Sequence, residues 1–492
     1  MNRTKNFLFT GFLLVTSQLI FSQPVKKVLS LDQVISIAKD QSLQAIMAKH
    51  RFRSSYWEYR TYVAKFRPSL NLNATLPDFN HTISLVTVKG GNTYTEINDL
   101  NNSLKLSLNQ NIGLTGGSIF IESQLGRLDR LTEDTTNYSA QPISIGFQQP
   151  INGFNSLKWE KKIEPLKYKE AKETYIRAME NVAVRAVDLF FNLAQAQLNI
   201  RIANVNFENA DTLYKIAQGR YNIGTIAENE LLQMELGKLN AGTAVNEGNI
   251  DLEEKKNQIR SFLGYNDQVD ISLVIPVKIP DLEMNVDKAY SQALQNNPDI
   301  IQMDRQLIEA KRDVAQAKSE KGLKANLYAS YGLSKQDAYL DAAYQNPKNQ
   351  QVVQVGLQMP IIDWGLGRGR YKMAESSQDV VRTQVEQNRI DFQQNIFLQV
   401  MRFNLQDDQL MIAAKADTIA QLRYDVTKQR FLIGKIDVLD LNVAQSEKDV
   451  AKRGYISALR NYWNYFYTLR QITLYDFISD KPLDTDFDQL LK

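Results

Sequence analysis

Few side chains in this sequence are suited to covalent or metal chemistry. Cysteine is absent, which removes thiol nucleophiles, cysteine zinc sites, disulfides and an N-terminal lipid-bearing cysteine. The two histidines, His50 and His81, stand in unrelated contexts, so neither a histidine metal site nor a triad is expected. The run Gly365-Leu366-Gly367-Arg368-Gly369-Arg370 invites a phosphate-loop reading, but Arg370 occupies the place of the third glycine in the dinucleotide fingerprint. A tight strand-to-helix bend accounts for these glycines. Gly434-Lys435 lacks the upstream glycine and the following Ser/Thr of a P-loop. The aromatic group Tyr455, Tyr462, Trp463, Tyr465, Phe466 and Tyr467 fits packing against neighbouring helices. No catalytic residue, cofactor or metal is expected, and the chain does not read as an enzyme.

What remains is a pair of glycine turns with acids behind them. One reads Arg220-Tyr221-Asn222-Ile223-Gly224 and the other Arg430-Phe431-Leu432-Ile433-Gly434. Glycine suits the left-handed residue that ends a helix. Thr225-x-x-Glu228 then reads as a capping box, and Asp437 as a cap. Glu230 and Asp440 fall in the first turns that follow, where the helix dipole favours acids.

Long helices must carry these turns. The 12 prolines leave gaps of 110 residues between Pro165 and Pro276 and of 121 between Pro360 and Pro482. Proline breaks helix interiors, so such gaps predict long helices. Ile176, Met179, Ala183, Val187, Phe190, Ala194 and Leu198 follow the steps of three and four that a packed face needs, as do Val385, Phe392, Ile396, Val400 and Phe403. A helix over 166–217 would reach ~75 Å. With its turn near Gly224 or Gly434, each block becomes a helical hairpin.

The two blocks repeat. Gly224 and Gly434, Arg220 and Arg430, and Pro150 and Pro360 are all separated by 210 positions, and Gly146–Ile151 aligns with Gly356–Ile361 at that shift. Upstream the shift becomes 255: Asn71-Leu72 aligns with Asn326-Leu327, and Asp32 with Asp287. The pattern predicts an internal duplication, with about 45 extra residues in the first copy between about 77 and 145. Before each helical block, alternation predicts strands: Leu70/Leu72/Ala74/Leu76, Ile143/Ile145/Phe147, Leu327/Ala329/Tyr331/Leu333 and Val353/Val355/Leu357/Met359. Such alternation fits a membrane barrel strand or an ordinary sheet with one wet face. The extra segment predicts a hairpin, Leu104/Leu106/Leu108 with Ile119/Ile121, turning near Gly116-Gly117.

At 492 residues, 43% hydrophobic and 23% charged, the chain can bury substantial apolar surface. After the N-terminus no apolar run of ~18 residues suggests a helical membrane bundle. Arg3 and Lys5 followed by the apolar stretch Phe7–Val15 read as an export signal over residues 1–22, cleaved between Ser22 and Gln23. Its removal takes two basic groups from a formal charge of +3, and nothing calls for nucleic acid.

Strand pair, long helical hairpin, then the same again in an exported chain: this resembles the TolC-like outer-membrane efflux factors. The duplicated Arg-aromatic-x-Ile-Gly turns, the Gln-x-Pro-Ile junctions and the run Asp440-Leu441-Asn442-Val443-Ala444-Gln445 carry the resemblance, which covers about 28 to 476. It implies a mostly helical fold with a β-barrel part: a homotrimer whose helical hairpins form a periplasmic α-barrel. Four strands per protomer would build a shared barrel of 12 in outer-membrane lipid. The implied organisation is a signal peptide over 1–22 and a first repeat over 23–264, with strands about 66–151 and a helical hairpin about 155–263. An inter-repeat belt covers 265–284, and a second repeat covers 285–476, with strands about 324–361 and a helical hairpin about 366–476. A tail occupies 477–492. The extra segment either enlarges the extracellular end or adds strands.

The implied function is a passive exit duct of a tripartite efflux or type I secretion system. It would be located in the outer membrane and extend into the periplasm. A periplasmic membrane-fusion adaptor would dock on the turns at Arg220, Tyr221, Gly224, Arg430, Phe431 and Gly434, and an inner-membrane RND- or ABC-type transporter would supply energy. The family's acidic constriction maps to Asp440, with Asp437 and Glu230 as further candidates; Val443 stands where a second ring acid would be. The alternative is a periplasmic coiled-coil adaptor or scaffold without a pore, which leaves the paired amphipathic strands unexplained. An exported hydrolase lacks a nucleophile motif.

Overall fold

A computed structural model describes residues 25–88, 91–265, 269–276 and 278–491. The export signal lies outside these residues. In chain order the elements begin with β1 (Val25–Ser30), α1 (Leu31–Gln41) and α2 (Leu43–Ala64). Four strands follow: β2 (Ser69–Val88), β3 (Gly91–Ile112), β4 (Gly117–Arg130) and β5 (Thr135–Ile151). Then come α3 (Ser156–Asn222), α4 (Glu228–Leu263), β6 (Val269–Val274), α5 (Val286–Asn296) and α6 (Pro298–Glu320). Next are β7 (Lys324–Asp337), the short α7 (Leu340–Ala343), β8 (Lys348–Gln358), α8 (Leu366–Asn404), α9 (Gln406–Leu432) and α10 (Val438–Thr473). Two-residue strands β9 (Tyr475–Asp476) and β10 (Lys481–Pro482) and the helix α11 (Phe487–Leu491) complete the described chain.

The chain divides into two compact units. One takes the residues up to 46 with 182–281 and 405–464, and the other takes 47–181, 282–404 and 465 onward. In the first unit β1 and β6 pair in parallel, and Gln197 donates to the Ile271 carbonyl at 3.2 Å. Polar groups link α3 to α9 and α10: Lys428 to Asn209 at 2.9 Å, Arg453 to Asn199 at 3.0 Å and Arg460 to Asp188 at 2.9 Å. Between them Asn206 donates to Asp449 at 2.6 Å, and Asp449 pairs with Lys448 at 3.2 Å, both of these charged side chains being buried. Buried charges persist only when paired in this way.

In the second unit Phe52, Tyr175, Ile176 and Leu474 form a buried cluster with Phe487 packed against it. The helices α6 and α8 meet through Ile300, Met303 and Val385. Arg305 pairs with Glu170 at 2.7 Å and Glu309 at 2.8 Å.

Among the described residues the second unit also holds a six-stranded antiparallel sheet of order β2-β3-β4-β5-β7-β8. The expected extra hairpin is present as β3 and β4, and it adds strands: six, where the resemblance implied four. It sits between β2 and β5. The β2–β3 ladder runs on to Val88 opposite Gly91, beyond the last β3–β4 pair, Asp99 with Arg130. At the other end the turn before β4 is tied down. Asn155 donates to the carbonyls of Gly113 and Leu114, and Gln149 to that of Thr115.

Two local features shape the long helices. α3 begins at Ser156 and contains Pro165, because Asn155 caps it by accepting from the Lys158 amide at 3.0 Å, ahead of the proline. The second block breaks at Leu405, where α8 gives way to α9 without a proline. There Asn404 turns its side chain to the Met284 backbone, accepting from its amide at 3.0 Å and donating to its carbonyl at 2.9 Å.

Candidate functional site

The two glycine turns close in the same way. Gly224 and Gly434 have φ of 74° and 73°, and their amides donate back to Tyr221 and Phe431 at 2.9 Å each. The next amides, of Thr225 and Lys435, reach the carbonyls of Arg220 and Arg430 at 2.9 and 3.0 Å. This double closure satisfies the last helical carbonyls and demands a left-handed residue. A Cβ on either glycine would meet no neighbour within 4 Å, so the constraint is the backbone angle alone.

The starts of the following helices differ. Asp437 caps α10, accepting from the Asp440 amide at 3.0 Å. The expected capping box at Thr225 is not formed. α4 starts after Ala227 without a side-chain cap, and the Thr225 hydroxyl instead donates to the Arg220 carbonyl at 2.9 Å. The reason is spacing: Thr225 is still occupied in closing the preceding helix, two residues before the cap position.

The turns lie beside each other. The Arg220 guanidinium donates to the Leu432 carbonyl at 3.2 Å, across a groove of about 740 Å³. Arg220, Glu230, Asp437, Phe431 and Gly434 all line this groove; Tyr221, Gly224, Arg430 and Asp440 do not. Asp440 is exposed in the first turn of α10. Sequence reasoning missed the groove's apolar floor of Leu213, Ile216, Ile226, Met234 and Ile436, and the charge of Lys435. The one available signal was that Ile226 and Ile436 occupy the same place two residues beyond their glycines.

Behind the groove, Tyr424, Phe431, Leu441 and Ala444 form a buried cluster. The Lys448 ammonium sits 4.3 Å from the Tyr424 ring centre, and burial pushes the Tyr424 phenol up from its ordinary value. Where α3 faces α4, Asp211 takes Lys215 at 2.6 Å and Lys238 at 2.7 Å, which holds its carboxyl below the usual range. The groove thus combines an apolar floor with two cations and two acids.

The remaining sequence candidates are structural. Gly365 has φ of 84°, and Asp363 accepts from the amides of Gly365 at 2.9 Å and Gly367 at 2.8 Å, fixing the entry to α8. In the aromatic group Tyr462, Trp463, Phe466 and Tyr467 are buried, and the Tyr462 hydroxyl donates to the Pro280 carbonyl at 2.7 Å. Among the described residues no cluster of acids and histidines could hold a metal. No described helix is long and apolar enough to cross a membrane.

The sheet has an unusual distribution of polarity. Leu70, Leu108, Ile121, Ile145 and Tyr331 stand opposite one another across five successive strands, and all are exposed. The next row, Asn71, Ser107, Glu122, Ser144, Gly332 and Gln350, is polar and crosses all six. Leu70 is 66% exposed, whereas Ser107 and Ser144 are 4% and 3% exposed. The apolar face is the open one, the inverse of a sheet that folds in water.

Residues 289–473 match the sequence family described as outer membrane efflux protein. No curated protein matches the chain. Among solved structures, the CmeC outer membrane channel of Campylobacter jejuni superposes with a TM-score of 0.68 at 16% identity, over 94% of this chain and 89% of that one. The outer membrane protein VceC of Vibrio cholerae gives a TM-score of 0.64 at 15% identity, over 90% and 95%. The open state of the MtrE outer membrane channel of Neisseria gonorrhoeae gives 0.52 at 15% identity, over 90% and 88%. At these identities the likeness establishes the fold: long helices joined to an antiparallel β part.

Proposed function

We infer the role of this chain from the match of its residues 289–473 to the outer membrane efflux protein family: it is an outer-membrane exit duct that reaches into the periplasm. Cargo passes through it without chemistry, so the chain is not an enzyme. The observation that carries this reading is the inverted sheet, with leucines and isoleucines open on one face and serines sheltered on the other. That pattern suits a wall between lipid and water.

The duct is a homotrimer. Lipid offers no partner to a strand edge, so a membrane sheet has to close into a barrel. The sheet of one chain ends in the unpaired edges of β2 and β8, which copies of the same chain can complete. Two matching turns and the shift of 210 positions support an ancestral duplication. A periplasmic membrane-fusion adaptor docks in the groove between the turns, where Arg220, Glu230, Lys435 and Asp437 surround an apolar floor. An inner-membrane RND- or ABC-type transporter supplies the energy. Asp440 is the candidate for the acidic constriction, since Asp437 is engaged as a cap and Glu230 faces the groove.

Fractionation tests the reading. The protein is expected in the outer membrane, extractable only with detergent, and running near three times its chain mass before boiling. A buffer-soluble monomer would favour the rival scaffold without a pore.

A further inference from the structure

We propose that the hairpin β3–β4 is part of the membrane wall, so that three copies close a barrel of eighteen strands, six from each chain. The inference rests on the homotrimeric duct proposed above and concerns its width. Each copy would present β8 to β2 of the next.

Three observations place the hairpin in the wall. The first is alternation in register. Leu108 and Ile121 continue the open apolar row from Leu70 to Ile145, while Ser107 and Glu122 continue the polar row from Asn71 to Ser144. A loop lying outside the membrane has no reason to keep both faces in step with its neighbours. The second is charge. Lys105 pairs with Glu122 at 2.8 Å on the polar face, between the two added strands, where a water-filled interior would solvate them.

The third is anchoring. Beyond the ties from Asn155 and Gln149 to its lower turn, Gln110 donates to the Phe66 carbonyl at 3.0 Å and Asn111 to that of Lys65 at 2.9 Å. The hairpin also meets β5 closely. The Phe120 ring lies over Gly146, where a Cβ would come within 2.7 Å of the Ala329 carbonyl oxygen, and it stacks on Tyr328 at 5.6 Å.

The edges fit a second copy of this chain. Strands alternate in direction from β2 to β8, and their number is even, so β8 and a neighbouring β2 meet antiparallel. Every residue of β8 is exposed; the row itself ends at Gln351, opposite Tyr331, and Val353, Val355 and Leu357 keep the same face apolar along the edge. Barrel diameter grows about linearly with strand number, so eighteen strands give a mouth roughly 1.5-fold wider than twelve.

A matched deletion measures this. Asp78, Asn101, Leu128 and Asn137 stand opposite one another in turn. Removing residues 81–134 therefore joins β2 to β5 through the short stretch 79, 80, 135 and 136. Electron cryomicroscopy of both trimers in lipid nanodiscs should show an outer barrel about 1.5-fold wider in the full chain. Equal diameters, with β3 and β4 outside the ring, would overturn the proposal and leave the duct intact. A soluble monomer with no ring would defeat the duct reading, and this one with it.

Should the shortened chain not fold, labelling of the full chain decides. The protein lacks cysteine, so single substitutions report cleanly. Leu108→Cys and Ile121→Cys should react with a membrane-soluble maleimide and resist a charged one, and Lys105→Cys and Glu122→Cys, whose native side chains are 37% and 19% exposed on the polar face, should do the reverse. Equal reaction of all four with the charged reagent would overturn the proposal.

Discussion

Arg220, in the last turn of α3, holds the main-chain carbonyl of Leu432 at the end of α9, so a side chain from one hairpin closes on the backbone of the other. The contact is exposed and single, worth about 1 kcal/mol. Arg220→Ala should loosen this end of the two hairpins, and a difference of that size shifts an equilibrium roughly fivefold. Single-channel recording should show more frequent opening by about that factor. Unaltered opening would show the tie to be idle.

The glycine turns are constrained by angle and not by crowding, which makes a specific prediction. Gly224→Val with Gly434→Val forces a branched residue into the left-handed region, at about 1–2 kcal/mol for each turn. Adaptor coupling and efflux should fall while the trimer still inserts. Gly454→Ala, in α10 with open space around it and no positive φ, should leave efflux unchanged. Full efflux in the double variant would remove the turns from the docking site.

The two acids at the start of α10 should separate by assay. Asp437→Ala loses the cap on the Asp440 amide and should lower stability by about 1 kcal/mol, seen as a lower Tm. Asp440→Asn keeps the helix and removes one charge per protomer. If the acids face each other across the opening, cation preference and block by multivalent cations should both weaken. Reversal potentials under a salt gradient give the answer, and unchanged selectivity and block would retire Asp440.

Tyr462 sets an alkaline limit. Burial, with Asp407 and Asp281 nearby, raises its phenol above the ordinary value of about 10. A proton held more tightly in the folded state adds stability that is complete below the unfolded pKa and is lost as pH rises through the folded one. Stability should therefore decline above about pH 10. Tyr462→Phe should cost about 1 kcal/mol at neutral pH, from the bond to Pro280, and show a shallower alkaline decline. Thermal melts at neutral and alkaline pH measure both.

Glu180 is 3% exposed, and Arg470 donates to it at 3.1 Å while also meeting Asp476 at 3.0 Å. Arg470→Met takes the guanidinium from a buried carboxylate and should cost about 3–5 kcal/mol. Adding Glu180→Gln should recover part of that loss. Denaturant titration of the four members of the cycle gives the coupling, and strict additivity would show the pair to be independent.

The helices were legible because proline is absent over most of their length and glycine stands at the turns Gly224 and Gly434. The strands were legible from Leu70/Leu72 and Val353/Val355, whose alternation survives any uncertainty about what covers them. Thr225 misled because a Thr-x-x-Glu spacing describes a capping box without revealing that the threonine already serves the helix before it. Pro165 stands ten residues into α3, so the stretch 166–217 read from the proline-free gap covers only part of the helix that Asn155 starts. The groove was not legible at all. Its two sides come from residues about 210 positions apart, and only the fold sets Arg220 beside Leu432.

β8 leaves its whole length exposed, with backbone donors and acceptors along one side and valines on its open face. Before such an edge is paired it is a hazard. Each copy must travel in water carrying an adhesive margin that will pair with any extended peptide it meets. Yield in the cell is then a race between closure of a ring of fixed size and aggregation, whose growth has no fixed size and so rises faster with chain concentration. Overproduction should tilt that race toward inclusion bodies unless holdase chaperones rise with it.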